Sequence, residues 1–448
     1  MGGDFTKNPI KKLTSFQTII LGFVGIIIAG ALLLMLPFAS RGEGCADFED
    51  ALFTATSAAC VTGLITQDTA TYWTGFGQAV ILILIQTGGF GVVTVASAMT
   101  MIAGRKIGLM QRSTMQDSIS APQVGGIVRL TSFAIKITLA VELAGCLLML
   151  PSFIREFGIG KGIWYSVFHS VSAFCNAGFD LMGVKQRFSS LTLFADDILI
   201  NIVIMLLIII GGLGFLTWED IKTHKFKFKK YRMQSKVILS VSLIITVFPA
   251  VYYFFEFADW DMPAGKRIIT ALFQAVTPRT AGFNTVDLSL LNGGGTIIMI
   301  VLMLIGGSPG STAGGMKTTT IAVLFSAAVS VFRKERSAKF FGRRISDDTV
   351  KTAAAVLLMY VTIFLTGAVM ISSIENVPIR SCLFETSSAI ATVGLSLGLT
   401  PTLGTVSHIL LIIMMFLGRV GGLTVIYAAL SNNHVNVSRL PEEKITVG

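Results

Sequence analysis

The chain has 448 residues, of which 53% are hydrophobic and 13% are charged, and its formal net charge is +10. A soluble domain carries about 25% charged residues. The shortage of charge, together with repeated apolar runs long enough to cross a bilayer, excludes a soluble globular domain and indicates a polytopic membrane protein.

The positive charges are clustered beside the apolar runs. The clearest clusters lie at 222–236 and 333–351, and Lys7, Lys11 and Lys12 precede the first run. This placement follows the positive-inside rule, which makes these segments cytoplasmic. The charge therefore indicates orientation in a membrane rather than nucleic-acid binding.

In chain order, four similar units lie between two tails, and each unit reads as an apolar run, a short helix, a glycine-containing segment and a second apolar run. The tails are residues 1–15 and 432–448, and the units are 16–105, 129–222, 236–333 and 349–431. The first runs are 16–38, 130–154, 236–258 and 350–374, and the second runs are 76–103, 195–220, 296–332 and 404–430. The short helices are expected at 48–59, 163–174, 268–278 and 381–390. The pattern predicts an all-α membrane protein of four tandem span–pore-helix–span repeats. That gives eight transmembrane helices and four re-entrant pore helices around a pseudo-fourfold pore, with both termini cytoplasmic.

One short segment recurs in all four units. The copies read FTATSAACVTGL (53–64), FHSVSAFCNAGF (168–179), FQAVTPRTAGF (273–283) and FETSSAIATVGL (384–395). Non-helical backbone at membrane depth is tolerated only where it lines a cavity or is buried in protein. Four such segments around one axis could replace the hydration shell of an alkali cation with backbone carbonyls. A single copy would read as a helix-crossing glycine, but four copies at matched positions favour the pore.

These segments resemble the filters of the Trk/Ktr/HKT superfamily of potassium transporters, and within it the membrane subunits of bacterial Ktr systems. The resemblance implies a channel-like pore with one essential glycine per unit, here Gly63, Gly178, Gly282 and Gly394. It favours K⁺ as the permeant ion, because some relatives that prefer Na⁺ carry serine at the first position. The implied ligands are the backbone carbonyls of Val61, Thr62, Gly63, Asn176, Ala177, Gly178, Thr280, Ala281, Gly282, Thr392, Val393 and Gly394.

The third unit's second apolar run contains a glycine-rich interruption. Glycine and proline disfavour a continuous helix there. The stretch is not a phosphate-binding loop, because Met316 separates Gly315 from Lys317 and puts the lysine out of register. The interruption consists of Gly306, Gly307, Ser308, Pro309, Gly310, Ser311, Thr312, Ala313, Gly314 and Gly315. The resemblance implies an intramembrane gating loop, and a static helix kink is the alternative.

Charged residues inside apolar segments are costly and therefore informative. The resemblance implies that Arg419, in the last run, contacts the gating loop and adds a positive barrier, and a structural role in bonding loop carbonyls is compatible with this. Arg279 is expected to pack behind the third filter segment or to pair with a carboxylate. Two roles are open for Glu142: a proton or sodium site, or a contact with another helix. Glu385 is expected to open the fourth short helix.

The sequence contains no motif for covalent chemistry. The five cysteines form no CxxC pair and the four histidines are scattered, so we expect neither an enzyme nor a transition-metal site. The leading function is potassium uptake through a pore. The alternative is a secondary active cation symporter with alternating access, although inverted repeats normally contain odd numbers of spans. A structural or receptor protein would give no reason for four filter-like segments.

The resemblance also implies partners. It implies a homodimer with one pore in each protomer and a cytosolic ring of RCK-type regulatory subunits (KtrA) that bind adenine nucleotides. It further implies K⁺ as the permeant ion, Na⁺ as an activator and no covalently bound cofactor. The basic segments 222–236 and 333–351 could dock the regulatory ring or contact lipid headgroups.

Overall fold

The computed structural model describes residues 14–42, 44–102, 108–119, 125–225, 227–422 and 424. Apart from residues 14 and 15, the predicted N-terminal tail lies outside these ranges, and so does the predicted C-terminal tail at 432–448.

The described part of the chain is mainly helical. Its α-helices are α1 (Ser15–Leu34), α2 (Phe48–Cys60), α3 (Thr69–Tyr72), α4 (Gly75–Phe90), α5 (Val92–Ile102), α6 (Leu109–Ile119), α7 (Ile127–Phe157), α8 (Ile159–Cys175), α9 (Ile198–Gly212), α10 (Phe215–His224), α11 (Met233–Glu256), α12 (Ala264–Val276), α13 (Gly293–Leu304), α14 (Thr318–Phe332), α15 (Asp347–Glu375), α16 (Ile379–Ile390) and α17 (Thr405–Val420). Short 3₁₀ helices cover Met182–Val184, Ser190–Phe194, Phe228–Lys230, Phe257–Asp259, Leu288–Leu290 and Thr400–Thr402. Strands β1 (Lys339–Phe340) and β2 (Arg343–Arg344) form an antiparallel hairpin in which Lys339 pairs with Arg344.

Several long helices begin at polar N-caps that the sequence supplies. Thr14 and Gln17 form a capping box at the start of α1, in which each side chain bonds the other residue's backbone N–H. The side chains of Asp197, Asn292 and Ser346 cap the N-termini of α9, α13 and α15 by accepting hydrogen bonds from backbone N–H groups. These caps fix where each apolar segment becomes helical.

Among the described residues, four helices are long and apolar enough to cross a membrane, namely α1, α7, α11 and α15. They correspond to the first apolar run of each unit. The pair α9 and α10 meets the same criterion only when it is taken together, and its two helices are bent by 97°. The helices of the other second runs, α4, α13, α14 and α17, are shorter.

The second apolar runs are broken more often than the sequence predicted. An interruption was expected in the third unit, where residues 305–317 separate α13 from α14. The structure also ends α4 before Gly91 (φ 80°), places Gly214 (φ 87°) between α9 and α10, and ends α17 before Gly421 (φ 87°). Unbroken helices over 76–103 and 195–220 are therefore wrong, because glycines in a left-handed conformation stop the helix.

Close packing against the short helices explains glycines just before these breaks. A methyl group added to Gly88 would strike the carbonyl oxygen of Ala59, and one added to Gly211 would strike that of Phe174. A methyl group added to Gly418 would likewise strike the carbonyl oxygen of Ile390. In these three units, the second helix lies directly on the C-terminal end of its own unit's short helix.

The helices pack in a closed succession. Helix α4 of the first unit contacts α8 of the second, α9 of the second contacts α12 of the third, and α13 of the third contacts α16 of the fourth. Helix α17 of the fourth unit then contacts α2 of the first. The phenylalanines that begin the four repeated segments are fully buried at the centre of this arrangement: Phe53, Phe168, Phe273 and Phe384.

The first helices present apolar side chains outward. Leu147 of α7, Phe248 of α11 and Leu358 of α15 are 57%, 74% and 70% exposed, respectively. Exposed large apolar side chains on long helices are the surface that a lipid bilayer would cover. The short helices and the segments that follow them occupy the buried centre of the molecule.

Candidate functional site

The four repeated segments share one backbone conformation. In each, the residue two positions before the glycine and the glycine itself both have a positive φ, and the residue between them does not. The values are 58° and 96° at Val61 and Gly63, 60° and 70° at Asn176 and Gly178, 67° and 81° at Thr280 and Gly282, and 52° and 91° at Thr392 and Gly394. A non-glycine residue in this region costs about 1–3 kcal/mol, and β-branched residues such as Val61 are outliers there. The surrounding structure therefore holds all four segments in a strained form.

The four glycines meet in a closed ring. A methyl group added to Gly63 would collide with the carbonyl oxygen of Ala177 in the second unit, and one on Gly178 would lie 2.8 Å from that of Ala281 in the third. A methyl group on Gly282 would meet the carbonyl of Val393, and one on Gly394 would meet that of Thr62. Each segment thus touches the next one, and the fourth touches the first. There is no room for a side chain at any of the four positions.

A hydroxyl group from the preceding helix fixes each segment. In the first and fourth units, Ser57 Oγ and Ser388 Oγ accept hydrogen bonds of 3.0 Å from the N–H groups of Gly63 and Gly394. In the second and third units the hydroxyl donates instead, to the carbonyl just after the glycine. Those bonds run from Ser172 Oγ to Phe179 O (2.7 Å) and from Thr277 Oγ1 to Phe283 O (2.5 Å). The Ser or Thr of each repeat is therefore part of the site, which the sequence analysis did not recognise.

The third unit contributes a buried arginine behind its segment. Arg279 is 3% exposed, and its guanidinium donates to Ser242 Oγ (2.9 Å) and Thr246 Oγ1 (3.4 Å) on α11. None of the described carboxylates pairs with it, so of the two expectations the structure places Arg279 behind the segment. Its backbone carbonyl accepts a hydrogen bond of 3.0 Å from Asn176 Nδ2, which links the second and third segments.

The interruption between α13 and α14 lies against the inner end of these segments. Thr312 Oγ1 donates to Phe174 O (3.0 Å) and Gly211 O (3.1 Å) in the second unit. On the other side, the N–H of Gly315 donates to Gly418 O at 3.3 Å in the fourth unit. A methyl group on Gly314 would strike the side chain of Thr392. The loop therefore bridges the second and fourth units directly beside the filter-like segments.

Two cations hold this loop by its carbonyl groups. The guanidinium of Arg419 donates to Thr312 O in the loop, to Gly88 O, and to Gly89 O at 3.2 Å in the first unit. The ammonium of Lys317 donates to Ala313 O (2.8 Å) and Gly314 O (3.2 Å). Arg419 thus makes the loop-carbonyl contacts expected from the sequence. The contacts of Lys317 were not predicted, although its position at the end of a glycine-rich stretch was the available signal.

Two cavities lie on either side of the site. An outer cavity of about 570 Å³ is lined by all four glycines of the ring, together with Asp180 and Asp287. An inner cavity of about 660 Å³ is lined by loop residues such as Ser311 and by Lys317 and Arg419. The ring of glycines faces the outer cavity and the loop faces the inner one, so the two stand in series.

Two further carboxylates pack around the segments. Glu142 is 6% exposed on α7, where its Oε2 accepts from Gln86 Nε2 at 3.3 Å on α4 of the first unit. The structure thus shows the contact with another helix. Glu385 lies within α16, which begins at Ile379, so its expected position at the helix start is wrong. Its carboxylate accepts from Ser396 Oγ (2.5 Å) and Thr400 Oγ1 (2.7 Å) and holds the chain that follows Gly394.

The described residues contain no group of three or more His, Cys, Asp or Glu side chains placed to hold a metal ion. The oxygens that converge at the site belong to backbone carbonyls and hydroxyls. Such hard, neutral oxygen ligands suit alkali cations.

The chain is a member of a family of cation transport proteins. Residues 5–436 match the TrkH family of cation transport proteins, and the chain belongs to this family. It is 37% identical to the potassium/sodium uptake protein NtpJ of Enterococcus hirae over 99% of both chains. It is 35% identical to the Ktr system potassium uptake protein B of Bacillus subtilis, covering 98% of this chain and 97% of the relative. The predicted Trk/Ktr relationship is confirmed.

A solved structure shows the same fold. The crystal structure of the potassium transporter TrkH from Vibrio parahaemolyticus superposes with a TM-score of 0.74. The match covers 94% of this chain and 85% of that one at 18% sequence identity. The two proteins therefore share an architecture at a level of identity where the similarity speaks to fold alone.

Proposed function

We propose that this chain forms a K⁺-conducting pore for potassium uptake across the cell membrane. The observation that carries this proposal is the closed ring, in which each filter glycine abuts the carbonyl of the next unit and the fourth abuts the first. The names of the two relatives, for potassium and for potassium/sodium uptake, support K⁺ as the substrate.

In this proposal the ions are bound by backbone carbonyls. The alternation of positive and negative φ across each segment supports carbonyls that turn toward the axis. The ligands are the carbonyls of Val61, Thr62, Gly63, Asn176, Ala177, Gly178, Thr280, Ala281, Gly282, Thr392, Val393 and Gly394. Helices α2 and α8 end immediately before these residues, and α16 and α12 end two and four residues before Thr392 and Thr280. A helix C-terminus carries a partial negative charge that favours a cation.

The four units act as four span–pore-helix–span repeats with eight crossings of the membrane. The long helices α1, α7, α11 and α15 supply one crossing per unit, and the broken second helices supply the other. An even number of crossings puts both termini on the same side, and the lysines before the first apolar run favour the cytoplasm for that side. The membrane potential then drives K⁺ inward with about 2.3 kcal/mol per charge per 100 mV.

The intramembrane loop at residues 305–317 acts as the gate below the filter. Its contacts with the second and fourth units close the space under the ring, and Arg419 and Lys317 place two positive charges in that space. Moving the loop requires these carbonyl contacts to break. A gate built from hydrogen bonds to mobile backbone can open without unfolding the helices around it.

We further propose that the pore works as a homodimer with a cytosolic RCK-type ring that binds adenine nucleotides, and that Na⁺ activates it. The family resemblance supports the dimer and the ring, and the name of the Enterococcus hirae relative supports a role for Na⁺. The hairpin β1–β2 carries Lys339, Arg343 and Arg344 and is one candidate surface for the ring or for lipid headgroups.

A pore is favoured over an alternating-access symporter. Alternating access needs two halves that rock around a central site. The contacts from α4–α8 round to α17–α2 join four similar units in a ring. They do not divide the molecule into two halves.

The test uses cells that lack potassium uptake and express the full chain, with Gly63→Ser and Gly282→Ser compared. Both substitutions put a side chain against a neighbouring carbonyl, so we expect uptake to lose its preference for K⁺ over Na⁺ while the protein still reaches the membrane. Gly25→Ser is the matched control, because a side chain there meets nothing within 4 Å. Wild-type selectivity in both filter variants would contradict the proposal.

A further inference from the structure

One carboxylate stands directly outside the glycine ring. Asp180 follows Gly178 by two residues and lines the outer cavity that all four ring glycines share. The corresponding residues of the other units are Ile65, Asn284 and Ser396, which carry no charge. Of these four equivalent positions only the second unit's carries a charge, so the outer entrance is asymmetric next to the ring.

The position of this carboxylate is fixed by a hydrogen bond to only one of its two oxygens. The N–H of Met182 donates to Asp180 Oδ1 at 2.8 Å, which closes a tight turn. No described residue donates a hydrogen bond to Oδ2. A half-buried side chain with one tethered and one free oxygen can offer that oxygen to an ion in the cavity.

Each of the two nearby carboxylates has hydrogen-bond donors of its own. Asp68 lies behind Asp180, and its oxygens accept from the N–H groups of Ala70, Thr71 and Phe188. Asp287, the other acidic residue of the cavity lining, accepts from the N–H and the hydroxyl of Ser289 through one oxygen.

Burial, reinforced by the charge of Asp68, raises the pKa of Asp180 to about 7. His169 also contacts this turn, and its Nε2 accepts the N–H of Leu181 at 3.3 Å and is therefore unprotonated in this contact. Lys185, which follows the turn, is paired with Glu156 at 2.8 Å. A positive charge beside Asp180 Oδ2 would relieve the cost of burying its negative charge.

We propose that Asp180 is the residue that recruits monovalent cations from the external solution to the glycine ring. Its charge raises the local cation concentration at the entrance and so sets the apparent affinity for transport. A long-range charge attracts K⁺ and Na⁺ equally, so Asp180 does not choose between them. This inference rests on the proposed pore function and names the residue that supplies ions to it.

The test measures uptake by the full chain in proteoliposomes with Asp180→Asn. Asparagine keeps an oxygen that can accept the Met182 N–H, so the turn survives and only the charge is removed. We expect the KM for K⁺ to rise about fivefold to tenfold at low ionic strength, with the maximal rate unchanged. With added non-permeant salt such as choline chloride, the difference should fall below about twofold, because the charge is screened. The KM for Na⁺ should rise by the same factor as that for K⁺.

Two control variants sharpen the comparison. Asp180→Glu keeps the charge and should keep the KM of the wild type within about twofold. Asp287→Asn removes a charge from the same cavity, but from an exposed side chain five residues beyond Gly282, where solvent screens the charge, so its effect should be smaller. In the wild type, the KM should rise as the external pH falls through about 7, and Asp180→Asn should abolish that dependence.

Several results would overturn the assignment. They are an unchanged KM in Asp180→Asn, an increase that persists at high ionic strength, a changed ratio of K⁺ to Na⁺ affinities, or an equal effect of Asp287→Asn. If Asp180→Asn does not fold, the wild type still decides, because a KM that ignores both ionic strength and pH contradicts recruitment. Absence of any cation uptake by the wild type would instead contradict the proposed function itself.

Discussion

At the scale of single residues, the site depends on hydroxyl groups as much as on glycines. The glycines allow the segments to approach one another, but the strained φ of residues such as Val61 needs an external support. That support is a buried hydrogen bond from the preceding helix, with the hydroxyl of Ser57 or Ser388 as acceptor and that of Ser172 or Thr277 as donor.

We therefore expect Ser57→Ala to weaken selectivity. It leaves the N–H of Gly63 without this partner in a buried place, at a cost of about 1–3 kcal/mol. The ratio of K⁺ to Na⁺ uptake in the full chain should fall severalfold, with normal amounts of protein in the membrane. Ser373→Ala is the control, because Ser373 bonds a carbonyl of its own helix on an exposed face. An unchanged ratio in Ser57→Ala would show that the hydroxyl is dispensable.

At the scale of elements, the loop between α13 and α14 is held by hydrogen bonds to the second and fourth units and by two cationic side chains. The carbonyls of Thr312, Ala313 and Gly314 are bonded by two side chains, Arg419 and Lys317. Those side chains approach from the fourth unit and from the start of α14. The loop itself contributes mostly glycine, serine and alanine, which place little bulk in the way of movement.

Loosening the loop should raise transport. Arg419→Ala, or deletion of residues 310–314, removes contacts that stabilise the closed position and also removes charge or bulk from the inner cavity. We expect the maximal rate of K⁺ uptake to rise severalfold in both variants, with a smaller effect on KM, in flux assays on proteoliposomes. Thr366→Ala, at an exposed site on α15, is a control for non-specific effects. Unchanged kinetics in both loop variants would mean that the loop is a static kink.

The sequence predicted some elements well and others poorly, for physical reasons. The repeated segments could be found because their phenylalanine, hydroxyl residue and glycine are local features that recur. The breaks at Gly91, Gly214 and Gly421 were missed because apolar composition alone cannot distinguish a straight helix from a bent one. The recurring glycines of the second runs were the overlooked signal, and they reflect contact with the carbonyl end of a short helix. The partners of Arg419 lie in distant parts of the chain, which no local pattern can specify.

At the scale of the whole molecule, the main feature is the closed order of the four units. Second helices contact the short helix of the following unit, and filter glycines contact the following segment, in the same direction around the molecule. The symmetry is imperfect. The third segment is one residue shorter and carries Arg279, and only the second unit has a carboxylate two residues after its ring glycine. In the proposed pore, the four units share a geometry for binding an ion, and separate residues supply and gate it.

The most direct test of this account is to locate the ion. Crystals of the full chain grown with Rb⁺ in place of K⁺ would be measured at the rubidium absorption edge. We predict anomalous density on the axis of the ring formed by Gly63, Gly178, Gly282 and Gly394, within coordination distance of their carbonyls. A map with bound Rb⁺ elsewhere and none at this ring would contradict the central claim that four backbone segments replace the water around a potassium ion.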